Sequence, residues 1–363
     1  MTSYPPTNAL SLFNLKSLAI KLIAPIIFFI LAYPFFSIAE ELPEKNLNTF
    51  SIYLENDYFS GEDGEYSSGL KLTWSSEIKD QYPQNVWPHR WLYPLVKYIP
   101  FDKEPERKKN ITFALGQNIY TPDDIEAEDV VDNERPYAGI TYLSLGFHSR
   151  LDREMDSIEI TLGLVGPSSY AEECQKAVHS VFDDIQPEGW DNQLNNEPIL
   201  EIVYEHKKKI FQTGITGGFG QGLILNTGAG LGNALTYYNL GLSYRIGWNM
   251  PNDFGVFPIR PISSFNGSFD DMNPNHSKNN KLGIQLFASV EGRAMLYNIF
   301  LDGNTFTDSH SVDKKPIVSD FVTGINLNWG NAQLGAAWVF RSKEYETQNK
   351  AQQFASINFS FSY

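Results

Sequence analysis

Cysteine is almost missing from this chain. Cys174 stands alone in 363 residues, so no disulfide framework and no cysteine-rich zinc site can be built. Basic charge is short too: 28 Lys and Arg face 43 Asp and Glu, a net charge of −15, or −17 without Lys16 and Lys21. Nucleic-acid binding needs a basic face, which this balance disfavours. Beyond residue 39 no stretch approaches the ~18 apolar residues of a membrane-crossing helix. Any membrane crossing by the rest of the chain must therefore use strands.

The leading segment, 1–39, reads as a secretory signal. Lys16 and Lys21 form the basic region, Leu22 to Ala32 the apolar core, and Ser37-Ile38-Ala39 a small-x-small cleavage site before Glu40. Pro25 and Pro34 interrupt the apolar run, and an acidic polar segment follows at once. Both features favour cleavage over an anchor helix. Residues 40–363 are then expected outside the cytosol as one domain.

What the sequence does have is alternation. In Ser356-Ile357-Asn358-Phe359-Ser360-Phe361-Ser362-Tyr363 the apolar residues share one strand face and the small polar residues the other. Similar segments recur at Phe50–Asp57, Tyr66–Ser75, Asn110–Asn118, Leu143–Phe147, Ile158–Leu164, Leu200–His206, Ile210–Phe219, Leu240–Trp248, Leu282–Leu286, Phe321–Trp329 and Leu334–Phe340. With the last strand they predict an all-β fold, an antiparallel transmembrane β-barrel of about twelve strands. The 19 Tyr, 25 Phe and 7 Trp suit its interfacial girdles, and a mean hydropathy of −0.30 is no objection when only alternate residues face lipid. Inward positions read mostly as Gly, Ser, Thr and Asn.

One stretch breaks the period. Gly166-Pro167-Ser168-Ser169 followed by Tyr170 to Phe182 predicts a helix with a serine cap and acids in its first turn. Ala171, Cys174, Val178 and Val181 form its apolar stripe, with His179 adjoining. Counting strands from a periplasmic start places the connections near 57–66, 119–136, 166–195 and 295–316 on the extracellular side. The segments 78–108 and 249–280 fall on the other side, where turns are normally short.

The residues with chemical potential gather on that first rim. Asn56-Asp57, where a strand meets a loop, offers hard oxygen ligands to a cation such as calcium, although the same pair is common turn chemistry. Ser67 could ligate, donate to an oxyanion, attack as a nucleophile, or simply fill the barrel. His179 could take a proton near neutral pH or pack as an ordinary helix residue. A base and a cation together would suit ester hydrolysis. Spacing alone leaves these alternatives open.

An ordered set of segments narrows them. Glu55-Asn56-Asp57, Tyr66-Ser67-Ser68-Gly69, Gly116 to Pro122, Arg135-Pro136-Tyr137-Ala138-Gly139, Val165-Gly166-Pro167, His179 with Gly189 to Leu194, and Asn298 to Asn304 with His310 to Pro316 resemble the lipid A deacylase family of LpxR-like outer-membrane proteins. The resemblance spans nearly all of the chain after the signal. It implies a twelve-stranded barrel in the outer membrane of a Gram-negative bacterium, with a site between the wall and a loop helix facing the outer leaflet. The implied activity is calcium-dependent removal of 3′-linked acyl chains from the lipid A of lipopolysaccharide, by a monomer. It assigns Asn56 and Asp57 to the Ca2+ site, Ser67 to a Thr/Ser position, His179 to activation of water, and Trp190 and Gln193 to the flanking loop.

One position departs from the resemblance. Six residues after the histidine, where the family can place a carboxylate that supports the base, this chain has Ile185. Asp184, Glu172 or Glu173 is expected to stand in. Two competing readings remain: an outer-membrane phospholipase with a serine nucleophile, and a non-catalytic or pore-forming barrel, the latter needing a charged, constricted lumen.

Overall fold

The computed structural model describes residues 48–57, 64–81, 106–182, 184–214, 217–255 and 282–363. The expected signal, 1–39, lies outside them, as do 82–105 and 256–280 of the two long segments.

Twelve antiparallel strands close into a barrel: β1 (Thr49–Asn56), β2 (Glu65–Ser75), β3 (Lys108–Thr121), β4 (Ala138–Arg150), β5 (Glu154–Val165), β6 (Glu197–Gln212), β7 (Phe219–Gly232), β8 (Leu235–Trp248), β9 (Gly283–Asn298), β10 (Ile317–Trp329), β11 (Ala332–Arg341) and β12 (Gln352–Ser362). Each strand pairs with its sequence neighbours. The last pairs with the first, from Thr49↔Ser362 to Asn56↔Ala355, and Thr49 Oγ1 and Ser362 Oγ lie 2.9 Å apart at the seam. Along β12 the alternation holds as read: Ser356, Asn358, Ser360 and Ser362 are buried inside, while Ile357, Phe359 and Phe361 turn outward. A belt of exposed leucines, including Leu115, Leu143 and Leu162, marks the lipid-facing surface.

Two expectations need correction. The segment Ile210–Phe219 is not one strand; β6 ends at Gln212 and β7 begins at Phe219. Lys207 and Lys209 point into the lumen rather than ending the strand. The glycine-rich β7 was missed because glycine weakens a strand signal. Here it has a packing reason: a Cβ on Gly230 would lie 2.3 Å from the Tyr237 ring of the next strand. The second correction concerns the interior, which is charged rather than filled by small polar residues alone. Glu55, Glu159, Glu201, Glu205, Lys71, Lys207 and Arg245 are all buried within the wall.

At the end holding the β1–β2, β3–β4, β5–β6, β9–β10 and β11–β12 connections, loop residues fill the mouth. Arg135 contacts Glu65 at 3.1 Å and Glu344 at 3.0 Å, between the rings of Tyr120 and Tyr345. Burial opposes its charge, but Glu344 and Glu65 outweigh that and hold the guanidinium pKa above its ordinary value. Below it Tyr66, Tyr120, Phe300 and Phe354 pack ring on ring.

Candidate functional site

At the mouth end of β1 and β2 the sequence-predicted oxygen donors meet. Asn56 Nδ2 donates to the Ser67 carbonyl at 2.9 Å, and Gly64 N donates to Asp57 Oδ2 at 2.8 Å. Ser67 is the extra residue of a β-bulge, between the pairs Tyr66↔Tyr120 and Ser68↔Ile119. A bulge re-aims a side chain out of strict alternation. It lets Ser67 Oγ sit 2.7 Å from Thr121 Oγ1 on β3. Carboxylate, amide, hydroxyl and carbonyl oxygens are hard donors, so the set suits calcium better than a soft metal. Among the described residues no group of three His, Cys, Asp or Glu is close enough to hold a metal. A cation here would rest on Asp57 as its charged ligand, with neutral oxygens from Asn56 and Ser67.

The helix lies outside the barrel. A short 3-10 turn (Pro167–Ser169) leads into α1 (Ala171–Phe182). The Ser169 carbonyl accepts from Gln117 Nε2 at 2.8 Å and Thr141 Oγ1 at 2.7 Å, two outward-facing residues of β3 and β4. Ala171 rests on the outer face of Gly139, where an added Cβ would come within 2.0 Å of the Ala171 Cβ. Ile119, Tyr137, Ala171 and Trp190 form the buried seam between helix and wall. The expected serine cap is not formed: Cys174 N bonds to the Tyr170 carbonyl, and buried Ser169 Oγ makes no hydrogen bond.

Of the apolar stripe read in the sequence, only Ala171 packs inward. Ala171, Gln175 and His179 are buried, whereas Cys174, Val178 and Val181 are exposed. Gln175 was missed as a site residue, although it lies one turn before His179 on the same face. Its Oε1 accepts from Trp190 Nε1 at 2.9 Å, and its buried Nε2 has no partner among the described residues. Gln193 Oε1 is likewise buried with no hydrogen-bond partner among the described residues.

His179 is 9% exposed. Its Nδ1 lies 2.5 Å from the Ile185 carbonyl, and a carbonyl only accepts, so Nδ1 carries the proton. In the neutral ring the lone pair is then on Nε2. None of the expected carboxylates supports the ring. Glu172 pairs with Lys176, Asp184 Oδ1 accepts from Ile185 N at 2.9 Å, and Glu173 is exposed. The residue six places on does orient the histidine, but through its main chain. Among the described residues no hydrogen bond joins His179 to Asn56, Asp57 or Ser67. The structure gathers those three residues together and places the histidine on the neighbouring helix.

Loops clamp that arrangement. Glu188 N bonds to the Ile125 carbonyl and Leu194 N to the Tyr137 carbonyl, tying the post-helix loop to the β3–β4 loop. Asn195 and Asn304 exchange hydrogen bonds at 2.8 and 2.9 Å, which ties it to the β9–β10 loop.

Comparison with known proteins agrees with this architecture. A family model described as "Outer membrane protein LpxR" matches residues 23–363. LpxR from Salmonella typhimurium superposes with a TM-score of 0.66 at 18% identity, covering 87% of this chain and all of that one. The β-domain of the Bordetella autotransporter BrkA reaches a TM-score of only 0.42 at 7% identity, over 87% of this chain and 99% of that one. No curated protein sequence matches significantly. A family match over most of the length, on a closed twelve-stranded barrel with an outer-wall helix, makes this chain a member of the LpxR family of outer membrane proteins.

Proposed function

We propose that this protein is a lipid A 3′-O-deacylase, a carboxylic ester hydrolase that acts on lipopolysaccharide from the outer leaflet, with His179 as general base and calcium as cofactor. The observation that carries the reading is His179 itself: a buried imidazole on the outer wall, its Nδ1–H fixed by a carbonyl, its Nε2 left to accept a proton.

Outward residues Asn56, Ser68, Ile119 and Gly139 lie in register across β1 to β4. Ala171 sits over Gly139, and the eight residues from there to His179 advance ~12 Å at ~1.5 Å each. Strands lie ~4.8 Å apart, so this length is enough to carry His179 over β2 and the Asn56–Ser68 end of the row. In this mechanism Nε2 takes a proton from water as the oxygen attacks the ester carbonyl. The tetrahedral intermediate then collapses, breaking the bond to the sugar oxygen, which receives the proton from the imidazolium. Fatty acid and alcohol are released. Calcium held by Asp57, Asn56 and Ser67 would supply positive charge to the oxyanion when bound.

A serine-nucleophile phospholipase finds less support, because Ser67 Oγ is paired with Thr121 and not with a histidine. The lumen does have the charge a pore would use, but the Arg135 cluster and the stacked aromatic rings fill its mouth. The test is a mass spectrum of lipid A from cells with the wild-type chain, the His179→Gln variant, or neither. Loss of the 3′-linked acyl mass with the wild type alone is expected. Unchanged lipid A in cells assembling the wild-type barrel refutes the substrate, and an active His179→Gln refutes the base.

A further inference from the structure

The exposed flank of α1 is the feature least expected of a surface helix. At ~100° per residue, Ala171, Gln175 and His179 point at the barrel wall. Glu172, Lys176, Ser180 and Glu173 follow on one side, and Ala177, Val181, Cys174 and Val178 on the other. The polar flank has neighbours: Gln186 Nε2 reaches Ser180 Oγ at 3.5 Å, and Lys176 is within electrostatic reach of Glu188 and Asp191. Those residues belong to the loop tied to the β3–β4 connection beyond the strand ends, so the polar flank faces away from the barrel's middle. The apolar flank therefore faces towards it, down the outer wall. Val181 is 79% exposed and Val178 49%. The wall below them continues the same surface: along β4 the outward residues run Gly139, Thr141, Leu143, and Leu143 is 63% exposed. Leu115 on β3 and Leu164 on β5 flank it, both exposed.

We infer that α1 is a membrane-interface helix whose Cys174–Val178–Val181 flank is seated among the acyl chains of the outer leaflet, continuous with the leucine belt. The occupant is lipid. Water is a poor partner for a row of exposed valines, whereas a helix lying at ~5–10 Å depth in the headgroup–acyl boundary takes this two-sided pattern. The placement deepens the deacylase reading by bringing the base to the depth of an acyl ester, but it depends only on the barrel being in a membrane.

The chain's single cysteine makes a direct test possible. A nitroxide is attached to Cys174 of the full-length protein in phosphatidylcholine–phosphatidylglycerol vesicles. Its collisions with oxygen, which concentrates in hydrocarbon, are compared with those of a water-soluble nickel chelate. The same label is placed by Glu173→Cys and Val181→Cys on a Cys174→Ser background, with folding of each verified by heat-modifiable migration. Oxygen should dominate at 174 and 181 and nickel at 173. Nickel dominance at 174 and 181 overturns the placement. Low collision with both reagents at those sites overturns it too, because protein would then cover the flank. No turnover enters the measurement, so a failure of the deacylase reading leaves this result unaffected.

Discussion

Replacing Gly139 with alanine probes the joint that holds the helix to the barrel. The new Cβ would stand 2.0 Å from the Ala171 Cβ and 2.5 Å from Ser169 Oγ. The Ala171 methyl is fixed to backbone and cannot swing aside. Restoring an ordinary contact of 3.4 Å requires the start of α1 to retreat by about 1.4 Å. That retreat strains both bonds to the Ser169 carbonyl and opens the Ile119–Tyr137–Ala171–Trp190 seam. Misplacing a catalytic group by ~1 Å can cost about 10²-fold in rate. Gly139→Ala should therefore lower deacylation by roughly that factor while the barrel still assembles and shows heat-modifiable migration, because the new methyl leaves β4 on its outer face and removes no ladder hydrogen bond. Adding Ala171→Gly removes the nearest clash and should recover part of the loss, despite a helix penalty of about 1 kcal/mol. The assay is acyl release from lipid A in mixed micelles. Full activity of Gly139→Ala would refute the idea that this contact positions the base.

Asp57→Ala should reduce acyl release by ~10²–10³, with EDTA reproducing the defect and calcium rescuing only the wild type; full activity in EDTA removes the metal. With Asp57 as the one carboxylate of the set among the described residues, calcium should bind weakly, with a Kd of about 10⁻⁴–10⁻³ M, as calorimetry would show. Asp184→Asn should lose less than about tenfold, because an amide oxygen still accepts from Ile185 N–H; a far larger loss with a shifted acid limb of the pH profile would restore a carboxylate as the histidine's partner. Arg135→Ala removes the cation that Glu65 and Glu344 share, leaving them only Tyr345 and Arg341 among the described residues, and should cost about 3–5 kcal/mol, read as a lower urea midpoint of the folded band.

The strands were legible because lipid outside and polar residues inside impose a period of two, as in β12 and β8. The failures have physical causes. Lys207 and Lys209 looked like the end of a strand because a charge rarely continues one, yet in the filled lumen Lys207 has Glu291 and Asp253 near it and Lys209 bonds to Asn252. The apolar stripe of the helix was legible, but not which way it faces: of Ala171, Cys174, Val178 and Val181 only Ala171 is buried, because the helix seats on the wall through its small and polar residues. His179, Asn56, Asp57 and Ser67 were visible as residue types and through resemblance. The histidine's actual partner was not, since a main-chain carbonyl leaves no mark on side-chain identity. Nor could spacing reveal Gly139, whose role depends on what lies above it.

With the mouth filled by Arg135 and its partners, and the helix on the outer wall, a membrane lipid would reach His179 sideways. The search for substrate then takes place in two dimensions. For the proposed deacylase the rate would follow the mole fraction of lipid A in the surface around the barrel and not the amount of lipid in the tube. Adding inert detergent at constant total lipid A should slow turnover simply by spacing substrate molecules apart, and a kinetic constant for this protein is properly expressed per area.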